Sequence, residues 1–167
     1  MANLSPDSNL RKHLTALLTA GEAHITFADA IKDFPIAQAG LRPAALSHEI
    51  SPHSAWELLE HLRIAQADIL LFSQGTDYVE PKWPDDYWPT SPEPASPRDW
   101  EASVTAISAD LEKFTDLLND KQRDLFEPFP WGHGQTLLRE ALLIADHNSY
   151  HLGQLMLIRR MIETSRQ

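Results

Sequence analysis

Four long stretches of this chain repeat apolar side chains every three or four positions, and that spacing favours packed helices over any sheet. The first runs from about Asp7 or Ser8 to Asp33 and carries Leu10, Leu14, Leu17, Leu18, Ile25, Ala28 and Ile31. Ser5-Pro6-Asp7 supplies its start, and Phe34-Pro35 its stop, because a proline disfavours helical geometry at the residue before it. The second starts near Ser51-Pro52, with Ser51, Ser54 and Glu57 as overlapping cap candidates, and carries Leu58, Leu62, Ala65, Ile69 and Phe72. The third follows Ser96-Pro97 to about Asn119 and buries Trp100, Val104, Ile107, Leu111, Phe114 and Leu118; the fourth spans about Gln135 to Glu163. Nothing reads as a strand or an internal repeat. The expectation is an all-α fold, a four-helix bundle formed by one domain over residues 1–167.

Residues 74–97 break the pattern. Six of the twelve prolines lie here, so no helix persists. Tyr78, Trp83, Tyr87 and Trp88 also lie here, and such large rings cost free energy when left in water. Two readings follow: a loop packed on the bundle, or a lid whose Trp83 and Trp88 line a pocket. The segment is long enough to cross the whole bundle, so the helices it joins need not be antiparallel neighbours.

The charge narrows the function classes. With 24 acidic against 14 basic residues, the formal charge of −10 repels phosphate backbones, and no basic cluster offsets it. Nucleic acid is not an expected partner. Cysteine is absent, which removes disulfides, thiol nucleophiles and thiolate ligands. No apolar run approaches the roughly 20 residues of a membrane span, and the N-terminal residues lack signal-peptide character. A cytoplasmic protein with no membrane partner is the expectation. G-x-S-x-G and G-x-G-x-x-G patterns are missing, so neither a serine-hydrolase elbow nor a phosphate-cradling glycine loop is in prospect.

Histidine carries the remaining chemistry. His147 and His151 lie four apart, so both rings project from one face of the fourth helix and can reach one ion. His151 falls in the column Leu137, Ile144, Ile158, His24 in the column Leu10, Leu17, Ile31, and His61 beside Leu58 and Ala65. Three helices thus turn histidine inward. A buried imidazole needs a partner, and a core hydrogen bond serves as well as a metal, so both readings stay open here. Imidazole sets without cysteine suit Zn, Ni, Cu and Fe(II) and disfavour Ca or Mg.

The segments SPHSAWELLEHLRIAQADIL and ADHNSYHLGQLMLIRR, above all the H-x-x-x-H-x-G-Q pattern closed by Gly153 and Gln154, resemble the signature segments of the DinB-like (DinB/YfiT) superfamily. The resemblance covers essentially the whole chain. It implies a bundle with long crossover connections and one metal at one end, held at the positions matching His61, His147 and His151. It also implies a homodimer and relatives that include thiol-dependent transferases and isomerases. Three imidazoles leave an open coordination position, which suits catalysis better than structure. The expected function is a metal-dependent enzyme acting on a small molecule, by thiol-dependent transferase or hydrolase chemistry, with Zn or Ni favoured and Fe or Mn as alternatives. A transferase needs a low-molecular-weight thiol, since the chain has none of its own. The competing expectation is a non-catalytic metal- or ligand-binding bundle or a dimerising module. His24 is a candidate fourth ligand, Glu57 a candidate acceptor for a ligand ring one turn away, and His53 and His133 candidates for the mouth of the site.

Overall fold

The computed structural model describes residues 5–165 except 22, 44–51 and 76. Among them are five α-helices and no strand: α1 (Pro6–Thr19), α2 (Phe27–Ile31), α3 (Ala55–Gln74), α4 (Pro97–Asn119) and α5 (Leu137–Thr164). The only extended pairing among the described residues is an isolated bridge between Pro128 and Thr136. The fold is an all-α bundle built on α1, α3, α4 and α5.

The first expected helix is in fact two. Its apolar spacing continues past Thr19, but Gly21 adopts φ +70°, and a Cβ there would lie 2.5 Å from the His24 carbonyl oxygen. The chain turns at that point, and Thr26 starts α2 by accepting from the Asp29 N–H at 3.1 Å. The second expected helix begins a little later than its proline suggested. Ser54 is the N-cap of α3, and its hydroxyl and the Glu57 carboxylate close a reciprocal capping box. Ser51, the other cap candidate, lies outside the described residues.

Helix α3 packs against both α4 and α5, and α1 closes the other side of the bundle against the same two helices. Glu60 meets Ser103, and Gln66 meets the Ile107 carbonyl, so α3 and α4 run parallel. Residues 75–96 therefore cross the length of the bundle, as their extent allowed. His61 meets His147, while Asp68 lies near Glu140, so α3 and α5 run antiparallel.

Two apolar clusters fill the interior. One gathers Leu59, Leu62, Trp100, Ile107, Leu152, Leu155 and Ile158; the other gathers Leu14, Ile69, Phe114, Leu118, Leu137 and Ile144. On α3 the change of cluster falls between Leu62 and Ile69, and on α5 between Ile144 and Leu152. Gln66, Asn148 and His151 occupy those gaps. The bundle thus has a polar layer between two oily ones.

One buried cation ties the ends together. Arg11 on α1 is only 5% exposed, and its guanidinium donates to the carbonyls of Leu118 (2.5 Å), Asp120 (3.1 Å) and Arg123 (2.6 Å) at the end of α4. These include carbonyls that a helix end leaves without internal partners. Arg11→Met keeps the aliphatic stem but strips those acceptors of their donor. The expected cost is about 2–4 kcal/mol, given about 1.5–3 kcal/mol for a hydrogen bond to a charged group. Urea unfolding of the two chains reads it directly; an unchanged midpoint refutes it.

Candidate metal centre

At the edge of that polar layer, three imidazoles come together. His61 comes from α3, and His147 and His151 from successive turns of α5. One ring nitrogen from each can be chosen so that all three lie within 4.8 Å of one another. The Nε2 atoms of His61 and His147 are 3.1 Å apart, and the His151 ring stands edge-on to both others. His61 and His151 are buried, at 3% and 8% exposure.

The rings are also oriented from behind. A carbonyl can only accept, so the 2.8 Å contact between His61 Nδ1 and the Tyr87 oxygen places that ring's proton on Nδ1. His151 Nδ1 likewise donates to Gln154 Oε1 at 2.9 Å. Both rings are left with a bare Nε2. An outer hydrogen bond of this kind sets both the tautomer and the aim of a ligand ring.

Burial is the largest influence and disfavours charge at all three positions, with neighbouring histidines adding to it and the acceptors of His61 and His151, the Tyr87 carbonyl and Gln154, opposing it. It lowers the His61 imidazole below its ordinary value, lowers His147 with help from the His61 ring, and pushes His151 down to about 4. The Asn148 amide beside His147 works the other way, favouring a proton on that ring. Neutral rings are the form that binds metal. The same shifts carry a stability consequence. A group whose pKa is lower folded than unfolded binds fewer protons in the native state, so its contribution is complete above the unfolded value near 6.5 and drains away as the pH falls. The metal-free protein should therefore lose stability between about pH 6.5 and 4, and His151→Gln should flatten that slope. Denaturant titrations at stepped pH measure it; equal slopes in the two chains contradict it.

The proline-rich segment is seated on this cluster. Its Trp88 ring lies between two histidines, stacked on His61 at 4.0 Å and on His53 at 3.9 Å. The Tyr78 and Tyr87 hydroxyls both donate to the Asp68 carboxylate at 2.7 Å, which pins the segment to α3. Trp88 and His53 thus stand next to the histidines. Trp83 does not: it is 67% exposed, and its ring lies 5.3 Å from that of Tyr87. An indole whose hydrophobicity suggested an inward role is turned outward, while Tyr78 and Tyr87 make the anchoring contacts to Asp68.

Three further expectations need correction. His24 is not part of the group. The break at Gly21 carries it to the surface, where its nitrogens engage the Ile25 carbonyl (2.8 Å) and Ser149 Oγ (2.9 Å). Glu57 does not hold His61. Its carboxylate is taken by the Ser54 N–H and the Arg42 guanidinium, with His53 3.8 Å away, and the Tyr87 carbonyl holds His61 instead. His133 is exposed and belongs to a different pocket, with Asp68, Tyr87 and Glu140.

Gln66 was missed altogether, though it interrupts the buried column of Leu59, Leu62 and Ile69 at helical spacing. An amide in such a column was a readable signal. The Tyr87 carbonyl had none, since any residue supplies that atom.

Among the described residues no helix is long and apolar enough to cross a membrane. No curated protein and no solved structure matches the chain. The sequence model of the DinB superfamily matches residues 11–155, which include all of α3 and α4 and every histidine of the cluster. With that match laid over a helical bundle and its three converging imidazoles, this chain belongs to the DinB superfamily.

Proposed function

We propose that this protein binds one divalent transition metal through the Nε2 atoms of His61, His147 and His151 and uses its open coordination position on a small-molecule substrate. The observation that carries the reading is the convergence of three imidazoles from two helices on one point, His61 and His151 buried and His147 half-buried, in surroundings that disfavour charge on each ring. Such a donor set suits Zn and Ni best, with Fe and Mn as alternatives. A metal bound there supplies Lewis acidity, acidifying a water or a thiol or polarising a carbonyl. The chain contributes the orientation of the rings through Tyr87 and Gln154, and the indole of Trp88 shields His61 from water.

Because the chain holds no cysteine, transferase chemistry draws its thiol from a small molecule in solution; hydrolysis needs only water. A cytoplasmic setting supplies such thiols. Leu142, Tyr150, Leu157 and Met161 are exposed apolar side chains on α5, and pairing with a second copy along this helix would cover them.

Elemental analysis of the purified full chain, followed by X-ray absorption of the bound ion, tests the reading. One ion per chain with three imidazole ligands and at least one non-protein ligand is expected. No retention of Zn, Ni, Mn or Fe(II) after reconstitution overturns it. A closed shell of four protein ligands overturns the enzymatic part alone. Gln154→Leu should weaken Zn(II) binding by about 10–100-fold while the fold survives, the usual effect of losing an outer partner. Chelator competition measures it, and unchanged affinity contradicts the role given to Gln154.

A further inference from the structure

The protons of the histidine cluster can be counted, and the count is one short. A neutral imidazole has a single N–H. His61 gives its own to the Tyr87 carbonyl, and His151 gives its own to Gln154. His147 has two claims on one proton. Its Nε2 faces the bare Nε2 of His61 at 3.1 Å, while its Nδ1 is buried with no partner. One residue further, Asn148 Oδ1 is buried with no partner either.

The Asn148 amide is not free to turn over. The Ile107 carbonyl accepts from Gln66 Nε2 at 2.6 Å, which directs Gln66 Oε1 toward α5. That oxygen accepts from Asn148 Nδ2 at 2.9 Å. With Nδ2 engaged by Gln66, the atom of Asn148 left without a partner is its acceptor, Oδ1. As the rings stand, the His147 proton serves the contact with His61 Nε2, and His147 Nδ1 and Asn148 Oδ1 are both left without a partner, which is costly for buried polar atoms. A cation at the three Nε2 atoms would take their lone pairs and leave the His147 proton to Nδ1, beside the Asn148 amide.

We infer that Asn148, held in place by Gln66 and the Ile107 carbonyl, is a positioning residue that accepts the Nδ1 proton of His147 and so frees the Nε2 of that ring for the ion. The inference rests on the metal reading above and deepens it. Each of the three rings then has its own acceptor behind it: the carbonyl of Tyr87, the amide of Gln154 and the amide of Asn148. The last is braced across α3 and α4, so the packing of three helices sets the aim of one ligand.

The test uses the full chain, uniformly labelled with nitrogen-15, with and without Zn(II). Long-range proton–nitrogen spectra report which nitrogen of each imidazole carries the proton, and chelator competition gives the affinity. Zn-loaded wild-type protein should show His147 protonated at Nδ1 with its Nε2 shifted by the ion. Asn148→Leu should weaken Zn(II) by about 10–100-fold. Gln66→Met should weaken it less, and should add little on top of Asn148→Leu, because it acts through that amide. Coordination of His147 through Nδ1, equal affinity in Asn148→Leu, or strictly additive losses in the double variant each overturn the inference. Should Asn148→Leu fail to fold by circular dichroism, the tautomer of His147 in Zn-loaded wild type and Gln66→Met decides alone. Zn(II) that shifts none of the three Nε2 resonances defeats the metal reading and this inference together. Zn(II) that shifts all three with equal affinity in wild type and Asn148→Leu defeats only this one.

Discussion

His61→Ala is expected to lower Zn(II) affinity by more than about 100-fold, since even an outer partner of a ligand is worth about 10–100-fold. His61 is the only ligand candidate contributed by α3, so its loss leaves a pair of imidazoles one turn apart on α5. Such a pair binds at one edge of the ion and closes nothing across the bundle. The substitution also removes the ring on which Trp88 stacks and the donor to the Tyr87 carbonyl, so residues 75–96 should become easier to cleave by protease. Helicity should persist, because His61 belongs to neither apolar cluster. Competition titration and limited proteolysis on the same preparation measure both effects. Wild-type affinity in a folded His61→Ala chain removes the metal reading.

Phe114→Ala is expected to cost about 3–5 kcal/mol, the usual range for emptying a buried phenylalanine site. The ring is completely buried in the cluster that includes Leu14, Ile69, Leu118 and Ile144, drawn from α1, α3, α4 and α5. A cluster drawn from four helices cannot fully relax into the space the ring leaves, so the cavity penalty adds to the lost transfer free energy. For a chain of this size the melting temperature should fall by about 6–20 °C, at roughly 2–4 °C per kcal/mol. Because the histidines lie outside this cluster, Zn(II) affinity measured well below the new midpoint should be unchanged. A shift of less than about 2 °C would mean that the site collapses, against the close packing that complete burial of the ring implies.

The contrast between these two variants restates how the molecule is organised. The packing resides in two apolar clusters, and the histidines and amides stand at the layer where the clusters meet. The amides of Gln66 and Asn148 occupy positions where leucine would stabilise the bundle more simply, so their presence needs a reason other than packing. Orienting a ring is such a reason.

Much of this was legible in the residues. Apolar periodicity located α3, α4 and α5 closely, because nothing in those stretches competes with it. It failed at α1, where the stripe runs on but one glycine with positive φ turns the chain; periodicity records which side chains are apolar and carries no information on backbone handedness. That error misplaced His24, whose apparent core column exists only if the helix is continuous. The i, i+4 relation of His147 and His151 was fixed by helix geometry alone. His61 joining them depended on α3 running antiparallel to α5, which no local pattern encodes.

What belongs to the sequence by itself is therefore whatever depends on neighbours along the chain: the helical stripes, the proline-broken crossover, the histidine pair, the absence of any thiol and the family pattern. What only the tertiary structure decided is who stands behind each ring. Tyr87 rather than Glu57 holds His61, Trp88 rather than Trp83 covers it, and Gln66 reaches Asn148 from another helix. The physical reason is range. A helix is specified by contacts three and four residues apart, whereas a hydrogen bond between α3 and α5 depends on register, rotation and crossover of the whole bundle.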